Sequence, residues 1–196
     1  MGNSKIVIVK GSPRIKGNSA ILAEQVAAGA KAAGAEVESF YLHGMDIQAC
    51  DACDACQGVA DVDCILDDDM QILYPKLREA DAVVYASPIY WFTVTAQLKL
   101  FIDRCYGMGS DTYAVESHVL AGKRIGVLLT FGGDDPFDAG AINAIRMFQD
   151  MFNYIPVESL DIVYGYALDA GEIRKDKDVM EKAHALGKKL ASVTKE

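Results

Sequence analysis

Lys5–Ser19, KIVIVKGSPRIKGNS, sets an apolar strand, a glycine-bounded loop and a helix start in one line. Lys5–Lys10 is rich in Val and Ile and too short for a helix, so it reads as a strand buried on both faces. It stops at Gly11. Leu22, Val26, Ala30 and Ala33 then recur at helical spacing, with Asn18 or Ser19 as the cap and Gly34 as the stop.

The same alternation runs to the end of the chain. Val37–Leu42 is a second strand, followed by a polar, Cys-rich loop over about residues 43–66. Met70, Leu73, Leu77 and Ala80 form the next helical stripe, capped by Asp67-Asp68-Asp69, whose charge suits the positive end of the helix dipole. Ala82–Ala86 is the third strand, and Leu98, Ile102 and Cys105 mark the helix after it. Arg124–Thr130 and Val157–Tyr164 are the fourth and fifth strands, with Ile142, Ile145, Met147 and Phe148 on the helix between them. After the solvated start Arg174–Asp178, a last helix carries Val179, Ala183, Leu186, Leu190 and Val193. Five strands interleaved with five helices imply an α/β fold in three layers, with parallel pairing and right-handed crossovers. No repeat or linker divides residues 1–196, so one domain is expected.

Composition narrows the partners. The chain has 196 residues, 51% apolar and 24% charged, as in ordinary globular proteins. A net charge of −9 repels phosphate backbones and argues against nucleic acid. No apolar run reaches the roughly 18–20 residues of a membrane span. The start shows no signal-peptide layout, and Ile6 stands where a myristoylation signal after Met1-Gly2 has Ser or Thr. A cytoplasmic protein without a membrane partner is expected. There, five cysteines point to metal or redox chemistry rather than disulfides.

In open parallel sheets, ligands bind beyond the carboxyl ends of the strands. That directs attention to Gly11–Ser19, Ser87–Thr95 and Thr130–Pro136. The first loop suits a monophosphate, through free N–H groups at a helix start, the side chains of Ser12, Asn18 and Ser19, and Arg14 nearby. A Walker A loop does not match, because Lys16 precedes Gly17; nor does the dinucleotide fingerprint, because Pro13 replaces its second glycine. The bland alternative is an ordinary strand–turn–helix connection. In the second loop, Tyr90, Trp91 and Phe92 are adjacent and costly to leave exposed. They suit a wall for a flat apolar ring system, with Pro88 fixing the chain, or equally a contact between copies.

GSPRIKGNS, followed at the third strand by SPIYWFTVTAQLKLFIDR, resembles the NAD(P)H-dependent FMN reductase and iron–sulfur flavoprotein branch of the flavodoxin-like fold, over the stretch up to about residue 130. The resemblance implies a sheet in the order 2-1-3-4-5 and a bound FMN. Its phosphate would be held by the first loop (Ser12, Pro13, Arg14, Asn18 and Ser19). Its ring system would lie against Pro88, Ile89, Tyr90, Trp91 and Phe92 and the loop after strand four, with Thr130, Gly132 and Gly133. Asp103 and Arg104 read as structural pairing residues. Asp134 and Asp135 would touch the ribityl chain or only end the strand.

Cys50-x2-Cys53-x2-Cys56-x7-Cys64 is the sharpest motif. Thiolates at i, i+3 and i+6 in a loop can converge on one face of a [4Fe–4S] cluster, with a fourth close by. Zinc more often takes two separated Cys-x2-Cys knuckles. Free thiols remain the other alternative. The run resembles the compact motif of iron–sulfur flavoproteins, in which a [4Fe–4S] cluster faces the flavin of a neighbouring subunit; that implies a homodimer or homotetramer. Asp61 and Asp63 would lower the potential of such a cluster or solvate the loop. Cys105 reads as a buried apolar residue. His43, His118 and His184 are scattered and carry no ligand spacing.

The resemblance therefore implies an oxidoreductase that passes electrons between a [4Fe–4S] cluster and FMN, with ferredoxin, a quinone or NAD(P)H as partner. The cofactors carry that chemistry and no side chain need act as acid or base. Two alternatives stand beside it. One is an NAD(P)H-dependent FMN/quinone oxidoreductase without a cluster. The other is a non-enzymatic flavodoxin-like carrier, whose acidic surface suits a basic partner, although flavodoxins proper show a Thr/Ser-rich phosphate loop.

Overall fold

The computed structural model describes residues 3–57, 63–109 and 115–192. The apolar runs form five parallel strands: β1 (Lys5–Lys10), β2 (Glu36–Tyr41), β3 (Ala82–Pro88), β4 (Arg124–Phe131) and β5 (Ser159–Tyr166). Their order is β2-β1-β3-β4-β5, as the resemblance implies. Between them run α1 (Asn18–Ala32), α2 (Met70–Glu79), α3 (Ala96–Arg104), α4 (Ala141–Tyr154) and α5 (Lys177–Ala191).

Side chains alternate across a strand, and the two faces bury different helices. Ile6 and Ile8 of β1 and Val84 of β3 pack under α1 and α5. Val7 and Val9 of β1 and Tyr85 of β3 pack under α2, α3 and α4. The three central strands are therefore apolar throughout, whereas β2 at the edge leaves Glu36, Glu38 and Ser39 exposed.

Several local expectations change. The cap of α1 is Gly17, without a side-chain hydrogen bond, rather than Asn18 or Ser19. Ala33 is exposed at the end of that helix, while Gly34 does adopt the left-handed φ of a stop, +88°. Before α2, Asp68 bonds the Met70 N–H at 2.9 Å and Asp69 reaches back to the Asp46 N–H at 2.8 Å. Cys105 is buried in the short 3-10 turn Cys105–Met108 that follows α3. The inward stripe of α4 is Ala141, Ala144, Phe148 and Phe152, so Ile142, Ile145 and Met147 are only half-buried. β5 is displaced two residues along the chain from its expected start. Val193 lies outside the described residues. Among the described residues no helix is long and apolar enough to cross a membrane.

α1 and α5 cross at two glycines. A Cβ on Gly29 would lie 2.0 Å from the His184 carbonyl oxygen, and one on Gly187 would lie 2.0 Å from that of Val26. Alanine is the better helix former by about 1 kcal/mol, but the backbone contact opposes it with overpacking of about 1–3 kcal/mol or more. Gly29→Ala and Gly187→Ala are each expected to lower stability by about 2 kcal/mol and Tm by about 4–8 °C in thermal melts. An unchanged or raised Tm would show that the helices are not in this contact.

Candidate functional site

At the carboxyl edge of the sheet, β1 hands the chain to α1 on one face and β3 hands it to α3 on the other. Thr95 locks the two exits together. Its hydroxyl donates to the Gly11 carbonyl at 2.8 Å and accepts the Leu98 N–H at 3.3 Å as the cap of α3, while its own N–H donates to Ser87 Oγ at 3.1 Å. Gly11 has no room for a side chain, since a Cβ would meet Leu98 Cβ at 2.7 Å. Thr95 does not figure among the expected site residues. Its signal is a Thr directly before the apolar stripe of a helix. The Ile89 N–H donates to the Thr130 carbonyl at 2.7 Å, which pins the aromatic loop to the end of β4.

The first loop is a turn in which the Gly17 N–H donates to the Arg14 carbonyl at 2.9 Å and the Arg14 N–H to Ser12 Oγ at 3.1 Å. Tyr41 at the end of β2 donates its hydroxyl to the Pro13 carbonyl at 2.6 Å. A Cβ on Gly17 would fill the cradle, 2.9 Å from Ser12 Oγ and 3.0 Å from the Arg14 carbonyl. Helix α1 opens here with no side-chain cap, so its first N–H groups are left for an anion. Ser19 Oγ is buried and has no hydrogen-bond partner. The Asn18 side chain is already engaged elsewhere: it donates to the Asp169 carbonyl at 2.9 Å and accepts the Gly171 N–H at 2.8 Å, tying down the loop after β5. Arg14 and Lys16 are exposed.

In the aromatic loop, Tyr90 and Thr93 exchange N–H···O bonds of 2.8 and 3.3 Å across a tight turn. Trp91 and Phe92 occupy its corners with φ of 48° and 70°. Two positive φ values in succession normally select Asn-Gly, and a bulky residue there is an outlier. Phe92 packs against Gly140 at the start of α4, and its carbonyl accepts Asn143 Nδ2 at 3.1 Å. Trp91 is 92% exposed.

The three loops meet in one cleft of about 220 Å³. Ser12, Arg14, Asn18, Pro88, Ile89, Tyr90, Thr130 and Gly132 line it. Of the expected site residues, Pro13, Ser19, Trp91, Phe92 and Gly133 do not line it. Ala167 and Leu168, just beyond β5, also line it and are absent from the sequence expectation, although their place at the carboxyl edge is the signal for them. The cleft presents an uncapped helix start at one end and an apolar, aromatic margin at the other. Asp135 caps its own turn through the Phe137 N–H at 2.7 Å.

The Cys-rich segment lies below this edge, on the α3 side. Its two ends are clamped by a fully buried ion pair, Asp68–Arg104. Arg104 also donates to the Gln48 carbonyl at 3.0 Å, and Asp68 accepts the Gln48 N–H at 2.9 Å. Burial alone would raise the Asp68 pKa; the Arg104 hydrogen bond and the Gln48 and Met70 N–H groups outweigh it and hold that carboxyl below its ordinary value. Arg104 is thus a pairing residue as expected, and Asp103 pairs with Lys99. Cys56 and Cys64 both sit against Gly107. Ala52 and Asp54 have φ of 56° and 54° with Cys53 between them. Among the described residues no three metal-ligating side chains converge. Asp63 pairs with Arg78 at 2.5 Å, and Asp61 lies outside the described residues. His43 hydrogen-bonds Gln97 at 3.0 Å on the surface.

A family model described as flavodoxin-like fold matches residues 4–190. An iron-sulfur flavoprotein of Archaeoglobus fulgidus is 33% identical over 189 residues, covering 95% of this chain and 79% of the relative. A Bacillus subtilis protein provisionally named an NAD(P)H-dependent FMN-containing oxidoreductase is 27% identical, over 96% of this chain and 99% of its own. An NAD(P)H:quinone oxidoreductase from Methanothermobacter marburgensis superposes over the whole of both chains with a TM-score of 0.77; at 17% identity it shows the fold alone.

Two substitutions probe the site's construction. Trp91→Asn relieves a left-handed aromatic residue and is expected to stabilise the protein by about 1 kcal/mol, raising Tm by about 2–4 °C. A lower Tm would mean that the indole is packed in solution. Asp68→Asn leaves Arg104 buried without a counter-charge and is expected to cost about 3–5 kcal/mol in denaturant unfolding. A cost below about 1 kcal/mol would place the pair in solvent.

Proposed function

This chain belongs to the flavodoxin-like fold family, in its iron–sulfur flavoprotein and FMN-dependent oxidoreductase branch, and we propose that it binds FMN in the three-loop cleft and works there as an FMN-dependent oxidoreductase. The observation that carries this reading is the pairing of an uncapped α1 N-terminus and a buried, partnerless Ser19 hydroxyl with an aromatic margin across one cleft. FMN, when bound, supplies one- or two-electron chemistry. The residues do the rest. Ser12, Ser19 and the backbone of residues 14–19 would hold the phosphate, and Gly17 keeps the cradle open. Pro88 to Phe92 and Thr130 to Gly133 would bound the ring system, with Leu168 restricting its edge. Thr95 holds phosphate loop and aromatic loop at a fixed spacing.

The finer reading adds a [4Fe–4S] cluster on Cys50, Cys53, Cys56 and Cys64. The donor set supports it by type and spacing. The positive φ at Ala52 and Asp54, on either side of Cys53, is the alternation that turns successive N–H groups inward, as at many iron–sulfur sites. The described cysteines carry no disulfide, which suits a reducing compartment and a cytoplasmic protein. Exposed Trp91, Phe92, Phe137 and Leu168 around the cleft support assembly with further copies of the chain, as a homodimer or homotetramer. Ferredoxin, a quinone or NAD(P)H would supply or accept the electrons. The second reading is an NAD(P)H-dependent FMN/quinone oxidoreductase without a cluster, favoured by the absence of three converging ligands among the described residues.

Two measurements separate these readings. Ser19→Ala is expected to weaken FMN binding about tenfold in fluorescence titrations and to stabilise the FMN-free protein by about 1 kcal/mol, since it removes a buried hydroxyl that FMN alone would satisfy. Unchanged affinity would remove Ser19 from the site. Protein purified without oxygen is expected to carry about four irons per chain, lost in Cys53→Ala with FMN retained. Iron-free wild-type protein that is reduced by NAD(P)H would establish the second reading.

A further inference from the structure

A cavity of about 410 Å³ lies in a different place. It opens between α3, α4, the 3-10 turns Cys105–Met108 and Val115–Ser117 and the Cys-rich loop at Cys50 and Gln57, and shares no lining residue with the three-loop cleft. A volume of this size falls in the range of small-molecule sites, roughly 300–1,000 Å³.

Its floor is Tyr85 of β3, 1% exposed. The Tyr85 ring is fixed by Phe101, Phe148 and Phe152, with centroids 6.0, 5.4 and 5.8 Å away. The Tyr85 hydroxyl lines the cavity and has no hydrogen-bond partner among the described residues. A phenol that faces a cavity normally takes its partner from what fills the cavity. Neither the imidazole nor the thiol beside it supplies one. His118 accepts the Leu120 N–H on Nδ1 at 3.1 Å, so Nε2 carries the proton and donates it to the Cys105 carbonyl at 3.0 Å. Burial keeps that imidazole neutral and pushes the Cys105 thiol up to about 12, so it too is uncharged. Ile102, Leu120, Met151 and Ile155 supply aliphatic wall, and Tyr106 and Tyr154 supply aromatic edges at the mouth. Asp103, the one carboxylate among the described lining residues, is tied to Lys99.

We propose that this cavity is a second small-molecule site, distinct from the flavin cleft, which takes a neutral aromatic carbonyl compound whose carbonyl oxygen accepts the Tyr85 hydroxyl. Each property of the ligand answers a property of the cavity. An anion would meet Asp103 and find no Lys or Arg among the described lining residues. A cation would meet a carboxylate already paired. A plain hydrocarbon would leave the phenol unmet, whereas an acceptor on an aromatic frame satisfies the phenol and fills the apolar walls together. The site binds without any redox step, and Cys50 and Gln57 in its lining place it beside the Cys-rich loop.

The test is calorimetric titration of the protein, with whatever cofactor it purifies with, using 1-tetralone and its carbonyl-free counterpart tetralin as probes. 1-Tetralone is expected to bind one per chain and about tenfold more tightly than tetralin, the difference one buried hydrogen bond makes. In Tyr85→Phe that preference should vanish while tetralin binding stays as in the wild type. Ile102→Trp, which fills the cavity from its half-buried wall, should abolish binding of both, and Trp91→Asn in the flavin loop should alter neither. Persistence of the wild-type preference for 1-tetralone in Tyr85→Phe, or competition between 1-tetralone and FMN, would overturn the proposal. So would an absence of saturable binding. Dissociation of a wild-type oligomer by Ile102→Trp would assign the cavity to a contact between copies and overturn it as well.

Discussion

Two helices leave the same sheet edge in opposite directions, and that divergence governs the site. β1 and β3 are neighbours, yet α1 packs on one face and α3 on the other. The connections must therefore separate as they leave the strands, and a crevice opens where no crossover can close it. Both helices also begin at this edge, so their free N–H groups gather there. What remains is to stop the crevice from closing or widening. Thr95 does this through the Gly11 carbonyl, in a contact so close that Gly11 cannot bear a Cβ. Specificity then rests on the loops: a cradle kept open by Gly17, and an aromatic corner held in a conformation that its residues disfavour.

The Cys-rich excursion obeys a different constraint. It follows edge strand β2, has little regular structure, and must return to α2. One buried ion pair fixes both its ends, because Asp68 at the exit and the Gln48 backbone at the entry share the Arg104 guanidinium. Such a pair gives little net stability relative to apolar packing, but removing one partner is costly. Its value here is positional, since it sets where a thiol-bearing loop starts and finishes against the Cys105–Met108 turn. The left-handed residues at Ala52 and Asp54 then turn that loop on itself.

The sequence was most legible where one physical demand dominates. Strands buried on both faces must be continuously apolar, so β1, β3 and β4 show in the primary structure almost to the residue. Edge strands β2 and β5 have one free face, and their limits blur. Helix stripes read well in α1, α2 and α5. In α4 the apolar residues exceed the buried face, and Ile142 and Ile145 misdirect the reading while Phe152 makes a better anchor. The cap of α1 differs for a reason specific to this fold: Asn18 has the right chemistry to cap α1 but is drawn across the edge to the loop after β5, which leaves the helix start open. Leu168 and Thr95 escaped because a Thr before a helix stripe and a residue just beyond a strand mark only element ends; their importance is created by the register of strands far apart in the chain.

The central claim is that the α1 N-terminus holds a phosphate monoester whose attached ring system lies along Pro88–Phe92. Parallel titrations of the flavin-free protein with FMN and with riboflavin test it most directly, because the two ligands differ only in the phosphate. Binding of FMN at one per chain, about a hundredfold tighter than riboflavin, is the expected result, corresponding to charge-assisted hydrogen bonds from the loop. Equal affinities for the two, or no uptake of FMN, would contradict it.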